Sequence, residues 1–223
     1  MKFAILVFPG SNCDHDAYKV IEGIEGVSAK FIWHKENDLS EYDTIIVPGG
    51  FSYGDYLRAG AIAKFSPIMS ALVDEAKKGK NIIGICNGFQ ILIEANLLEG
   101  SLINNNGVKF KSKEVSLLAK NLDTAFTNLI PENKELFMPI AHRQGNYIAS
   151  DDLQKKLIDN SQIAFTYSSS GGGNPNGSNM DIAGIFNENK NILGMMPHPE
   201  RASDSILGSD DGALIFKSII NRG

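Results

Sequence analysis

The stretch 81-NIIGICNGFQIL-92 decides how this chain folds. Asn81–Ile85 is an apolar run of strand length, and Gly88–Ala95 has the spacing of an apolar helix. Between them stands Cys86, with Gly84 two residues before it and Gly88 two residues after. A strand that enters a helix through G-x-C-x-G has the form of a nucleophile elbow, in which the reactive side chain sits on a sharp, strained turn. Flanking glycines let neighbouring backbones approach where a Cβ would clash. The helix that follows aims its free N–H groups and dipole at the side chain, which favours a thiolate and any oxyanion beside it. The amide of Asn87 is then the natural oxyanion donor. The same five residues also fit a buried core cysteine beside turn glycines, since free cysteine is among the most buried residue types.

Outward from this turn, strands alternate with helices. Lys2–Phe8 reads as a buried strand followed by a Pro-Gly-Ser-Asn turn, and Asn12 or Asp14 can cap a helix to about Gly26. Val27–His34 and Tyr42–Val47 read as strands, "PGGFSYGDYLRAGA" as a glycine-containing loop, and Pro67–Lys78 as an amphipathic helix. Continuous apolar strands of this kind belong to a parallel sheet covered on both faces, with ligands at the carboxyl ends of its strands. The loops after Phe8, Val47 and Ile85 should therefore share one rim. The second half changes character. Val108–Lys120, Glu135–Ala141 and Gln162–Tyr167 read as strands, Asp151–Asp159 as a helix, and Asp181–Phe186 with Asn191–Met196 as a hairpin. An amphipathic helix is expected over Asp210–Asn221. No repeat or linker interrupts the chain, so residues 1–223 are expected to form a single α/β domain with an antiparallel addition to a parallel core.

Composition narrows the function classes. The 223 residues carry a net charge of −5 and no basic run, which gives nucleic acid and anionic membrane nothing to hold. No apolar stretch is long enough for a bilayer. The start, "MKFAILVFPGSNCD", lacks the long apolar core and small-residue cleavage site of a signal peptide. Two cysteines, Cys13 and Cys86, make no disulfide framework, so a reducing cytoplasm is the expected compartment.

A thiolate nucleophile needs a base, and the chain has four histidines. Cys13-x-His15 could be half a metal site, but no second pair has matching spacing, so no metal is expected. His34 ends a strand and has no evident partner, and His142 follows the strand Glu135–Ala141. His198, in "MMPHPER", lies between Pro197 and Pro199, with Glu200 two residues on and close enough to orient the ring. A surface turn "PHPE" is the competing reading. Gly49-Gly50 after the third strand can supply the other oxyanion amide from Gly50.

Cys86 in its elbow, Gly49-Gly50 upstream and His198-Pro-Glu200 downstream resemble, in that order, the class I (triad) glutamine amidotransferases. Within them the chain is most similar to the glutaminase subunits of phosphoribosylformylglycinamidine synthases. "FPGSNCD", "PGGFSYGDYLRAGAIA", "GICNGFQIL", "HRQGNY", "NPNGS", "DIAGI" and "MMPHPER" carry the resemblance through nearly the whole chain. It implies a three-layer, flavodoxin-like fold and a catalytic triad of Cys86, His198 and Glu200. Gly50 and Asn87 would form the oxyanion hole, and Gln90, Gly145, Asn146 and Tyr147 would bind L-glutamine. Gln144 stands where many relatives carry an acid. The resemblance also implies partners: a large synthetase subunit, with a small accessory subunit beside it. ATP and magnesium would bind on the synthetase, since no G-x-x-x-x-G-K phosphate loop occurs here. Tyr53, Asp55 and Arg58, in the loop after Gly50, are expected to act as a lid or partner contact. Three rivals remain: a stand-alone hydrolase of γ-glutamyl or peptide bonds, a non-catalytic subunit, and a redox or chaperone-like relative.

Overall fold

The computed structural model describes residues 1–222. Its frame is a nine-stranded sheet. The strands are β1 (Lys2–Val7), β2 (Ser28–Trp33), β3 (Thr44–Val47), β4 (Asn81–Ile85), β6 (Lys111–Ala119), β7 (Glu135–His142), β9 (Ile163–Tyr167), β10 (Ile182–Phe186) and β11 (Ile192–Met195). They lie in the order β2-β1-β3-β4-β11-β10-β9-β6-β7. The five from β2 to β11 in that order are parallel, and the remainder pair antiparallel. β3 and β11 are buried along their whole length, as strands covered on both faces must be. Helix α1 (Asp14–Glu22) packs on β1 and β2, and α3 (Asn87–Glu94) packs on β3, β4 and β11. Helices α2 (Ile68–Lys77), α4 (Asp151–Asp159) and α5 (Ala213–Arg222) complete the layers. Buried side chains from both halves of the chain, among them Phe3, Ile46, Phe89, Phe165 and Phe216, join one hydrophobic cluster.

The hairpin is more than an addition to the parallel block, because its second strand enters that block. β11 lies parallel to β4, with Met195 opposite Ile85. The turn explains the placement. Asn187 Oδ1 accepts the Ile192 amide at 2.9 Å, and Asn191 Nδ2 donates to the carbonyls of Ala76 and Lys80, both at 3.0 Å. The hairpin tip is thereby pinned to the segment that leads into β4.

Several boundaries differ from the sequence expectation. α1 stops at Glu22 because Gly23 caps it, and its N-cap is Cys13 rather than Asn12 or Asp14. α5 starts at Ala213, three residues late, because Gly212 is pressed against Pro199, whose carbonyl oxygen would lie 2.1 Å from an added Cβ. The pair β5 (Ser101–Ile103) and β8 (Asn146–Ile148), a separate two-stranded sheet, has no periodic signal because each strand is only three residues long.

The glycines around Cys86 answer to sterics. A Cβ on Gly88 would lie 1.8 Å from the Val47 carbonyl oxygen, and one on Gly84 would lie 2.4 Å from Leu92 Cδ1. Gly88→Ala must therefore push β3 and α3 apart. We expect a loss of about 3 kcal/mol, the upper end for overpacking a core, read from the midpoint of urea unfolding. A wild-type midpoint would show that the contact relaxes freely.

Candidate active site

Cys86 has φ 51° and ψ −103°, a left-handed conformation that a residue with a Cβ adopts only under constraint. The constraint comes from both sides. The Cys86 amide donates to Met195 O of β11 at 2.7 Å, and its carbonyl accepts the first helical bond of α3, from Gln90, at 3.2 Å. The thiol is nearly buried and lies 3.6 Å from the Ala141 carbonyl oxygen at the end of β7.

His198 follows β11, so the β4–β11 pairing brings it to the same rim as Cys86. Its amide donates to Pro139 O at 2.9 Å. Nδ1 lies 2.6 Å from Glu200 Oε1, and both side chains are buried. With Nδ1–H donating to the carboxylate, Nε2 holds the second proton of the charged ring or the lone pair of the neutral one, and it has no hydrogen-bond partner among the described residues. Burial opposes the charged ring. The Glu200 carboxylate, with the Cys86 and Cys13 thiols, overrides it and holds the imidazole well above its usual range. Cys86, His198 and the thiol of Cys13 all line one small cavity of about 30 Å³, together with Asn12, Gly50, Phe51, Ala141 and Arg201.

Two backbone amides face this rim. Gly50 pairs with Ser11 across an isolated antiparallel bridge. The flanking bonds, Asn12 N–H to Gly49 O and Phe51 N–H to Gly10 O, mark it as the non-hydrogen-bonded kind, which leaves the Gly50 N–H unengaged. Its φ of 142° and an added Cβ only 2.6 Å from Asn12 N require glycine. Gly49 is required as well, because its Cβ would meet His198 Cε1 at 2.8 Å. Asn87 opens α3 and has one of the amides that a helix start leaves free.

A larger cavity of about 310 Å³ opens over Cys86. It is lined by Gly50, Gly54, Asp55, Gln90, His142, Arg143 and Gln144, with Phe51 and Phe110 at its walls. Gln90 lines this cavity, although its side chain is spent within the protein. It accepts from Asn87 Nδ2 at 2.8 Å and donates to Gln144 O at 2.7 Å. Gly145, Asn146 and Tyr147 do not line this cavity. They turn inward at the start of β8, where the Gly145 amide donates to Asn105 Oδ1 and the Tyr147 hydroxyl to Glu99 O. The residues of that segment that face the cavity are Ala141 to Gln144.

Of the three loop residues, only Asp55 lines the cavity. Burial pushes its carboxyl up to about 6, against the pull of the Asn87 amide. The Tyr53 hydroxyl is tied to His34 Nδ1 at 2.9 Å and Ser66 Oγ at 2.8 Å, and Arg58 is paired with Glu94 of α3. Both act as anchors, and the exposed tips of the loop are Tyr56 and Leu57.

Sequence reasoning missed His142 and the network of Asn87. His142 is buried, and the Asn105 Oδ1 that it meets at 3.0 Å also accepts from the Gly145 amide. Its Nδ1 is therefore the donor and its Nε2 a bare lone pair. Burial and the charge of His198 push the ring down to about 4. The Asn87 side chain accepts from the Ser52 amide and donates to Asp55 and Gln90, joining α3 to the loop after β3. No periodicity announces contacts of this kind. His15, the other half of the Cys13 motif, is exposed, meets Asp14 and packs against the ring of Phe31.

Residues 1–210 match the family described as CobB/CobQ-like glutamine amidotransferase domain. The chain is 43% identical to a chain of PurLQS from Thermotoga maritima, covering 99% of this chain and 98% of that one, with a TM-score of 0.90. A putative GMP synthase subunit from Thermoplasma acidophilum shares the fold at 17% identity and TM-score 0.63, over 99% of this chain and 93% of that one. A glutamine amidotransferase from Thermotoga maritima does so at 15% and 0.58, over 100% and 91%.

The raised pKa of His198 has a testable sign. A group whose folded pKa exceeds its unfolded value stabilises fully below the unfolded value and loses that contribution as pH rises through the folded one. Glu200→Gln should therefore lower the His198 pKa, read from the ring proton shifts by NMR. It should also cost more stability at pH about 6 than at pH about 9. An unmoved His198 titration would show that the carboxylate does not hold the charge.

Proposed function

This chain belongs to the CobB/CobQ-like glutamine amidotransferase family, and from that premise we propose that it is the glutaminase subunit of a phosphoribosylformylglycinamidine synthase. It hydrolyses L-glutamine to glutamate and ammonia. It passes the ammonia to a separate synthetase subunit, which converts formylglycinamide ribonucleotide to formylglycinamidine ribonucleotide in purine biosynthesis. The observation that carries the glutaminase chemistry is the strained Cys86 beside the buried His198–Glu200 pair, under a cavity large enough for one amino acid. Whole-length similarity to the PurLQS chain supports the assignment to this synthase.

The chemistry follows from the geometry. The Cys86 thiolate adds to the side-chain amide carbon of glutamine, and the carbonyl oxygen takes the negative charge. The N–H groups of Gly50 and Asn87 donate to that oxyanion, each such donor being worth about 2.7–4 kcal/mol in the transition state. His198, charged and held by Glu200, gives its proton to the departing nitrogen, and ammonia leaves a glutamyl thioester on Cys86. The now neutral ring takes a proton from water, which attacks the thioester and releases glutamate. Gln90 shapes the cavity and keeps the Asn87 side chain in place. Asp55 and the segment Ala141–Gln144 form the walls around the amino-acid end.

ATP and Mg²⁺ act on the partner synthetase, where the amide oxygen of the nucleotide is activated, and a small accessory subunit completes the assembly. The enzyme works in the cytoplasm, and its described residues form one domain. Among the described residues, no helix is long and apolar enough to cross a membrane.

Cys86→Ala, assayed with the synthetase subunits, nucleotide substrate and Mg-ATP, should lose glutamine-dependent turnover by several orders of magnitude. It should keep turnover driven by added ammonia. Full glutamine-dependent activity in Cys86→Ala would remove Cys86 as the nucleophile. Equal glutaminase activity with and without the partners would favour a stand-alone hydrolase.

A further inference from the structure

Cys13 has no part in the reaction just described, yet it stands against the catalytic histidine. It occupies the N-cap of α1, and that helix start is fixed by the Cys13 amide donating to Gly49 O at 3.2 Å. The packing is close, since an added Cβ on Gly49 would meet Cys13 Sγ at 3.1 Å and His198 Cε1 at 2.8 Å. One ligand atom each from Cys13, His198 and Glu200 lies within 4.8 Å of the other two, and all three residues are buried. Among the described residues, two of the polar atoms here, His198 Nε2 and Glu200 Oε2, have no hydrogen-bond partner. A buried carboxylate oxygen and a buried imidazole nitrogen left without partners cost free energy that a suitable ligand would recover. The 30 Å³ cavity lined by Cys13, His198 and Cys86 has room for about one water, and so for one small cation.

We propose that Cys13, His198 and Glu200 form an inhibitory site for one thiophilic divalent cation of the zinc class, taken in beside Cys86. Thiolate, imidazole and carboxylate are the donor set such a cation prefers, with bonds of about 2.0–2.3 Å. Ligand atoms within 4.8 Å of one another can close on one ion by small side-chain rotations. Binding converts the Cys13 thiol to a thiolate and the charged His198 ring to a neutral ligand, releasing both protons to solvent, and no electrons change hands. Burial holds that thiol in its protonated form in the metal-free protein. The cation stops the reaction whichever ring nitrogen it takes. At Nε2 it occupies the lone pair that serves as base. At Nδ1 it displaces the bond to Glu200 and leaves the proton on Nε2. Cys86, on the same cavity wall, can add a further thiolate.

Cys86 alone could bind a soft metal, so the decisive measurement removes it. The full chain carrying Cys86→Ala is titrated with Cd²⁺ and followed by thiolate-to-metal charge-transfer absorption. We expect one equivalent to bind, and the affinity to fall at least about tenfold when Cys13→Ser is added, since losing even an outer-shell partner of a metal site costs about that much. Serine keeps the volume, and Glu200→Gln in the same background gives a second reading with the same expected fall should Cys13→Ser not fold. No Cd²⁺ binding by the Cys86→Ala chain, or binding indifferent to both added changes, overturns the proposal. In the assembled enzyme, Zn²⁺ should inhibit glutamine hydrolysis, and Cys13→Ser should need at least about tenfold more zinc for half inhibition. An unchanged zinc dependence would place the cation on Cys86 and also overturn it. The inhibition measurement rests on the glutaminase reading and the Cd²⁺ titration does not. A wild-type assembly without glutamine hydrolysis would therefore sink that reading and leave the binding result standing.

Discussion

The contact between Gly88 and the Val47 carbonyl governs the rest of the site. α3 can begin only where its first turn lies flat against the end of β3, and that proximity forces the chain from β4 into α3 through a left-handed residue. Strain at Cys86 is the result. The turn is held by the β11 carbonyl that takes the Cys86 amide and by the Asn87 side chain that grips the loop after β3. Loosening any of these would let the turn relax toward ordinary helix geometry. The thiol would then leave the cavity that it shares with Gly50 and His198.

The same packing logic couples the loops of the rim. Asn87, Gln90 and Gln144 form a chain of side-chain bonds from α3 to the loop after β3 on one side and to the segment after β7 on the other. Tyr53 and Arg58 fasten the far ends of the first loop to His34, Ser66 and Glu94. Tyr53, Asp55 and Leu57 all hold positive φ, so this loop keeps a conformation that it would abandon in isolation. The cavity over Cys86 is thus a walled space whose shape is set by polar side chains more than by apolar filling.

Legibility from sequence followed the range of the forces involved. β4 and α4 have the boundaries that their patterns predict, because local periodicity and a Ser150 cap define them. The G-x-C-x-G turn was readable because steric demand leaves glycines behind. His198 and Glu200 were readable because two prolines and a spacing of two fix their relation. Residues that meet only through the tertiary fold were not. Cys13 reached His198 through the bridge between Ser11 and Gly50, and His142 became a cavity wall through Asn105. Gly145, Asn146 and Tyr147 show the limit of a motif: it marks a segment, while the hydrogen bonds of β8 decide which of its residues face inward.

The parallel pairing of β11 with β4 also orders events in time. About half the chain separates Cys86 from His198, and the strand that carries the histidine is inserted between two segments made earlier. During synthesis the thiol emerges with no base beside it. β4 remains an open edge until the hairpin is complete, exposed to mispairing as long-range strands generally are. Chemical competence therefore arrives only with the last quarter of the chain, when β11 closes the sheet. A truncated product would carry an ordinary, slowly reacting cysteine.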